Sequence, residues 1–148
     1  LLPGRTQSWA DLGSGGGFPG LVLAILATEK SPALSFTLVE SDKRKAVFLS
    51  EVSRRLDLKA IALPKRIESI PPLNADVVSA RALAPLSTLL DYGRRHMSAG
   101  GKLIFPKGAR AVEEIQAARQ KWQFSLVEHA SRTDENAVIL EITELRHA

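Results

Sequence analysis

The chain contains no cysteine. That excludes a disulfide framework, a thiolate zinc site and a cysteine nucleophile. It has three histidines, His96, His129 and His147, too widely separated to suggest a metal cage, so no metal is expected. No apolar run is long enough for a membrane span. The longest, Leu21 to Ala27, falls far below the ~20 residues a spanning helix needs. It follows a glycine-rich stretch rather than a basic segment, which argues against a signal peptide. A cytoplasmic protein with no membrane partner is the simplest expectation. What is present is ordinary for a globular fold: 148 residues, 45% hydrophobic and 24% charged. One domain burying about two-thirds of its unfolded surface follows. Twenty Lys and Arg against sixteen Asp and Glu leave a charge of +4, compatible with an anionic partner such as RNA or with a mildly basic protein.

Segments of alternating character run along the chain. Ser8 to Leu12 reads as a strand entering a tight turn. Phe18 to Lys30 reads as a helix, with Pro19 where a first turn tolerates proline. Ser35 to Glu40 is a strand by its β-branched and aromatic content. Asp42 to Leu56 is the clearest helix, capped by Ser41 or Asp42, with Phe48, Leu49, Val52 and Leu56 as an apolar stripe and Val47 beside it. Strands are expected at Lys59 to Leu63, Ala75 to Ala80 and Lys102 to Phe105. Helices are expected at Pro85 to Met97, ended by Gly100-Gly101, and at Ala109 to Lys121. Gln123 to His129 and Ala137 to Leu145 read as an antiparallel hairpin joined through Asp134-Glu135. The expected fold is α/β: a doubly wound, mostly parallel seven-stranded sheet with a C-terminal antiparallel hairpin. Ligands of such sheets bind at the carboxyl ends of the strands.

The stretch from Asp11 to Gly20, Asp-Leu-Gly-Ser-Gly-Gly-Gly-Phe-Pro-Gly, lies between the first strand and the first helix. Its glycines permit positive φ and close approach of a ligand. Glu40, about 22 residues past Phe18, ends the second strand, where a carboxylate can accept hydrogen bonds from a ribose diol. No Lys-Ser/Thr closes the loop, which disfavours ATP hydrolysis. Gly15, Gly17 and Gly20 match the dinucleotide spacing literally, so an NAD(P)-dependent oxidoreductase stays open. Asp11 disfavours a pyrophosphate and suits a ligand bearing an ammonium and a sulfonium, as in S-adenosylmethionine. A non-catalytic RNA-binding module on the same fold is a further alternative.

Several motifs occur in order beyond that loop: Leu-Val-Glu-Ser-Asp-Lys-Arg-Lys-Ala-Val-Phe-Leu (38–49), Arg-Ile-Glu (66–68), Ser-Ala-Arg-Ala (79–82) and Pro-Lys-Gly (106–108). Together they resemble the RsmG/GidB family (glucose-inhibited division protein B), small-subunit ribosomal RNA guanine-N7 methyltransferases with a Rossmann-like class I fold. The resemblance implies a cytoplasmic enzyme that uses S-adenosyl-L-methionine to methylate a guanine of 16S ribosomal RNA, as naked RNA or within the small ribosomal subunit. A monomer is expected. It implies that Gly13, Gly15 and Phe18 contact the cofactor from the first loop. Glu40 would take the ribose, Ile67 and Glu68 would border the adenine, and Arg81 would complete the pocket. Family members usually begin with an additional helical segment, whereas this chain opens at Leu1-Leu2-Pro3-Gly4. The expectation is therefore a single methyltransferase domain, 1–148, lacking that segment.

Guanine N7 carries a lone pair and no proton, so its methylation needs no general base and no catalytic acid or base is nominated. No Asn/Asp-Pro-Pro-Tyr/Phe tetrad of amino-group methyltransferases occurs. Lys43, Arg44 and Lys45 occupy a first helical turn, the end that the macrodipole makes unfavourable for cations, which suggests an anion-binding role. Lys65, Arg66, Arg81, Lys107 and Arg110 fall at expected carboxyl ends of strands. Of these basic residues, Lys43, Arg44, Lys107 and Arg110 are the candidate RNA contacts. Arg94, Arg95 and Arg119 read as solvated helix positions, Trp9 and Trp122 as packing residues, and Tyr92 with His96 as a structural pair.

Overall fold

The structure, a computed structural model, describes residues 8–15, 20–81, 84–130 and 137–148. Its strands are β1 (Ser8–Leu12), β2 (Ser35–Val39), β3 (Ala60–Leu63), β4 (Ala75–Ala80), β5 (Met97–Lys107), β6 (Trp122–Ala130) and β7 (Val138–His147). The α-helices are α1 (Gly20–Lys30), α2 (Lys43–Arg55), α3 (Leu86–His96) and α4 (Ala111–Ala118), and a short 3-10 turn spans Ile67–Ser69. Phe18, Ala82 and the Asp134-Glu135 connection lie outside the described residues.

The seven strands form one sheet in the order β3-β2-β1-β4-β5-β7-β6. The pairs from β3 across to β5 are parallel, and β7 runs antiparallel to both β5 and β6. The terminal hairpin thus inserts its second strand beside β5. Chain order reverses between β1 and β4, the switch point at which ligands of such sheets bind.

Alternation along the strands feeds two apolar layers. Trp9 and Phe36 stack at 5.8 Å between centroids, on the face covered by Leu21, Ala24 and Ala27 of α1 and Leu49 of α2. Ala10, Leu12 and Val78 face the other way, towards Leu86, Leu89 and Leu90 of α3 and Ala118 of α4. Both tryptophans are packing residues, each 2% exposed.

Three local expectations need correction. The apolar stripe of α2 is only half its buried face: Leu49 is sealed and Val52 packs against the core, whereas Phe48 and Leu56, with Val47 beside them, are exposed, and Ala46 and Ser53 complete the buried line. Gly100-Gly101 does not end the preceding helix in a turn but lies within β5, which begins at Met97. A bulge opposite Ala75 and Val77 accommodates them, with Gly100 at φ 77°. A Cβ on Gly101 would lie 2.9 Å from the Asp76 carbonyl oxygen, so backbone approaches backbone there. Helix α4 is also shorter than its apolar spacing suggested.

Gly93 serves close packing of α3 on the sheet. A Cβ there would fall 2.6 and 2.7 Å from the two Cδ atoms of Leu103, which is fully buried. Gly93→Ala should lower the urea midpoint, because overpacking of about 1–3 kcal/mol outweighs the ~1 kcal/mol gain in helix propensity. An unchanged or raised midpoint would show that Leu103 can move aside.

Candidate functional site

The site begins with a buried carboxylate. The period of two places Trp9 and Asp11 on one face of β1, and parallel pairing sets Asp11 opposite Ser79 of β4. The Ser79 hydroxyl donates to Asp11 Oδ1 at 2.7 Å and accepts the Trp9 indole N–H at 2.8 Å. The other oxygen, Oδ2, accepts the Ser14 hydroxyl at 2.8 Å and the Gly20 amide, the first of α1, at 3.2 Å. A Cβ on Gly20 would lie 2.5 Å from Oδ2, so only glycine admits this approach. Asp11 is 1% exposed. Burial raises its pKa, outweighing the hydrogen bonds from Ser79, Ser14 and Gly20 and the charge of Arg81, all of which favour the anion. Asp11 was expected to face a cationic ligand. It turns inward instead, where Ser79 of β4 and Ser14 and Gly20 from the two ends of the loop converge on it.

Glu40 supplies a second carboxylate. It follows β2 directly and is 8% exposed. Oε1 accepts the Gly15 amide at 2.8 Å and Oε2 the Asp42 amide at 2.8 Å. A carboxylate has about four acceptor directions, so each oxygen keeps capacity for another donor. The loop itself is tied to β2, as the Gly13 and Ser14 amides both donate to the Val39 carbonyl, at 2.7 and 3.0 Å. Gly13 and Gly15 adopt φ of 69° and 53°, a conformation that side chains disfavour. A Cβ on Gly15 would also come within 2.9 Å of Arg81 Nη2.

Around these residues opens a cleft of about 340 Å³. Gly13, Gly15, Glu40, Ile67, Glu68 and Arg81 all line it, so residues from four separate loops meet at one place. Phe18, the remaining candidate, lies outside the described residues. Ser41, Lys45, Lys65 and Arg66 also line the cleft and were not among the candidates for it. Their adjacency to Glu40 and Ile67 was the available signal. Ser79, unassigned in the sequence, becomes visible only through the β1–β4 register.

The basic candidates divide. Lys43 and Arg44 are exposed in the first turn of α2 and form no ion pair among the described residues. Asp42 caps that turn, accepting the amides of Arg44 and Lys45 at 2.9 and 3.2 Å, which offsets the cations' unfavourable place. Arg110 is exposed at the N-cap of α4, 3.4 Å from Glu113. Lys107 differs from an open phosphate contact. It is 7% exposed, and its Nζ donates to the Ala84 carbonyl at 3.1 Å and to Glu114 Oε1 at 2.9 Å. The same Glu114 oxygen accepts the Leu86 amide at 2.8 Å. Pro85 gives α3 no side-chain cap, so Glu114 of α4 caps it and Lys107 holds Glu114. Among the described residues, no cluster of three or more His, Cys, Asp or Glu is arranged for a metal. None of their helices is long and apolar enough to cross a membrane.

Comparison with known proteins gives consistent relatives. The family GidB, described as rRNA small subunit methyltransferase G, matches residues 1–142. A protein of Cereibacter sphaeroides named ribosomal RNA small subunit methyltransferase G is 49% identical over 146 residues, covering 99% of this chain and 71% of the relative. One of the same name from Rhodospirillum centenum is 46% identical over 145 residues, covering 98% of this chain and 65% of the relative. Among solved structures, a predicted O-methyltransferase from Agrobacterium tumefaciens superposes with a TM-score of 0.72 at 18% identity, covering 97% of this chain and 76% of that one. TYW2 of M. jannaschii, in complex with AdoMet, superposes with a TM-score of 0.68 at 13% identity, covering 97% and 70%. At such identities the structures share the fold with this chain.

Ser79→Ala should cost about 1–3 kcal/mol at neutral pH, because it strands the Trp9 indole N–H and removes a donor from a buried carboxylate. The lost bond favours the anion, so the variant's Asp11 pKa rises further. Its penalty should therefore be smaller where folded Asp11 is protonated in both proteins and grow as pH rises through the parent's folded Asp11 pKa, which already lies above the ordinary 3.8. Urea titrations across pH measure this; a penalty independent of pH would contradict the role assigned to Ser79.

Proposed function

Because the chain belongs to the rRNA small subunit methyltransferase G family, we propose that it transfers a methyl group from S-adenosylmethionine to N7 of a guanine in 16S ribosomal RNA. In this reading it acts in the cytoplasm, as a monomer, on the RNA or on the small ribosomal subunit that carries it. Family membership leaves the nicotinamide oxidoreductase reading without support. The observation that carries the assignment to a place is the cleft at the strand ends, where the first glycine loop, Glu40, the Ile67–Glu68 segment and Arg81 converge.

The residues present suit such a cofactor. Both Glu40 oxygens retain acceptor capacity beside their backbone donors, as a ribose diol requires. The missing Cβ of Gly15 leaves open a position that any other residue would fill, in front of Arg81. Half-buried Ile67 offers an apolar surface for adenine, with Glu68 beside it. The role proposed for Phe18 in the first loop rests on the sequence resemblance.

S-adenosylmethionine, when bound, supplies an electrophilic methyl group. The chain's contribution is to orient and to exclude. Guanine N7 offers a lone pair without a proton, so no side chain has to remove one. Holding nucleophile and methyl in line is worth several kcal/mol, on the order of the effective-molarity effects of oriented reactants. Exposed Lys43, Arg44 and Arg110 would meet RNA phosphates around the cleft mouth. Lys107, held by Glu114, would support the Ala84–Leu86 segment of that rim rather than meet the phosphates openly.

Glu40→Ala should weaken S-adenosylhomocysteine binding by about 1–3 kcal/mol, the range for hydrogen bonds to a charged group. Titration calorimetry reads this directly, and the same variant should methylate small subunits poorly at limiting S-adenosylmethionine. Unchanged affinity would remove Glu40 from the site.

A further inference from the structure

The segment from Pro64 to Asn74 connects β3 to β4 and carries Ile67 and Glu68 into the cleft. Its only regular element is the 3-10 turn Ile67–Ser69, too short to hold its own geometry. A turn of this kind leaves carbonyl groups at its ends that need donors from elsewhere. Inside the segment, the Ser69 amide and hydroxyl both donate to the Arg66 carbonyl, at 3.1 and 3.0 Å. The donors for Ile67 and Ile70 come from the last turn of α3.

His96 Nε2 lies 3.0 Å from the Ile67 carbonyl oxygen. Because a carbonyl only accepts, this nitrogen must carry the proton. His96 is fully buried, and its Nδ1 meets no hydrogen-bond partner among the described residues. A second proton there would be a buried charge with no acceptor. Burial accordingly depresses the histidine's pKa, and the ring stays a neutral donor aimed at Ile67. One residue earlier, Arg95 Nη2 donates to the Ile70 carbonyl at 2.7 Å, although the side chain is otherwise exposed. One turn earlier again, Tyr92 is half-buried, and burial foremost, with the nearby charge of Glu68, raises its pKa. Residues three and four apart share a helix face, so Tyr92, Arg95 and His96 are presented together. Ile70, 4% exposed, anchors the same segment in the core below.

We infer that the last turn of α3 is a positioning element for the cofactor cleft, in which His96 and Arg95 clamp the carbonyls of Ile67, at the start of the 3-10 turn, and of Ile70, just past its end. Neither lines the cleft: His96 acts through Ile67, which does, and Arg95 through Ile70, two residues past the lining Glu68. This explains a histidine buried with half its hydrogen-bonding capacity unused, and an exposed arginine turned back to a backbone carbonyl. The inference rests on the reading of the cleft as the S-adenosylmethionine site, with its adenosine half along Ile67 and Glu68.

Arg95→Met, at an exposed position, and His96→Leu remove the two donors, and His96→Gln restores an N–H near the place of Nε2. Titration calorimetry with S-adenosylhomocysteine and with methylthioadenosine, which lacks the amino-acid end, reads the adenosine half of the site. Each lost hydrogen bond should weaken both ligands about three- to tenfold, with His96→Gln regaining most of the loss. Amide exchange in the ligand-free protein should quicken at residues 67–70, with exchange in the β1–β4 core unchanged. In turnover, the KM for S-adenosylmethionine should rise and kcat at saturation should hold. If the parent chain binds both ligands and Arg95→Met binds them equally well with unaltered exchange at 67–70, the positioning role is overturned. If the parent chain binds neither ligand, the underlying reading of the cleft fails instead.

Discussion

The site depends on one buried carboxyl group, that of Asp11. Asp11 draws donors from β4, from the glycine loop and from the first amide of α1, and no single element could supply all three. Placing a carboxylate there costs several kcal/mol of lost hydration, and the upward shift of its pKa says the donors do not fully offset that cost. The compensation is geometric. A loop rich in glycine has many conformations, and converging on one acceptor selects among them. The cost is borne by a core in which Trp9, Phe36 and Leu38 are nearly sealed from water.

A second carboxylate does the outward work. Asp11 shapes the loop from beneath, whereas Glu40 holds the Gly15 amide with one oxygen and the Asp42 amide with the other. Glu40 thereby fixes the bend of the loop and the start of α2, and it still faces the cleft. Asp42 in turn caps the helix whose first turn presents Lys43 and Arg44 to solvent. The cleft itself mixes both signs, Glu40 and Glu68 with Lys45, Lys65, Arg66 and Arg81. On the opposite helical layer, Lys107 and Glu114 lock the start of α3 to the end of β5, and the last turn of α3 reaches back to the cleft.

Much of this was legible in the residues. The bounds of β1 and β4, the cap at Asp42 and the meeting of the glycine loop with Glu40 followed from strand periodicity, cap chemistry and the topology of a doubly wound sheet. The illegible features are those that need register. That Asp11 faces Ser79 rather than a ligand follows from which β1 residue stands opposite which β4 residue, and no local pattern encodes that. Lys107 looked like a free cation because Glu114 is seven residues away through a loop and a helix turn. Arg95 read as solvated because its partner, the Ile70 carbonyl, lies in a different loop. In α2 the stripe pointed to Leu49 and Val52 correctly, but Ala46 and Ser53 rather than Phe48 and Leu56 complete the buried face.

The most direct test is a crystal structure of the protein soaked with S-adenosylhomocysteine. The account predicts density in the cleft, with both ribose hydroxyls on the Glu40 carboxylate and the adenine lying along Ile67. Density elsewhere on the molecule, or a cleft empty at saturating ligand, would contradict it.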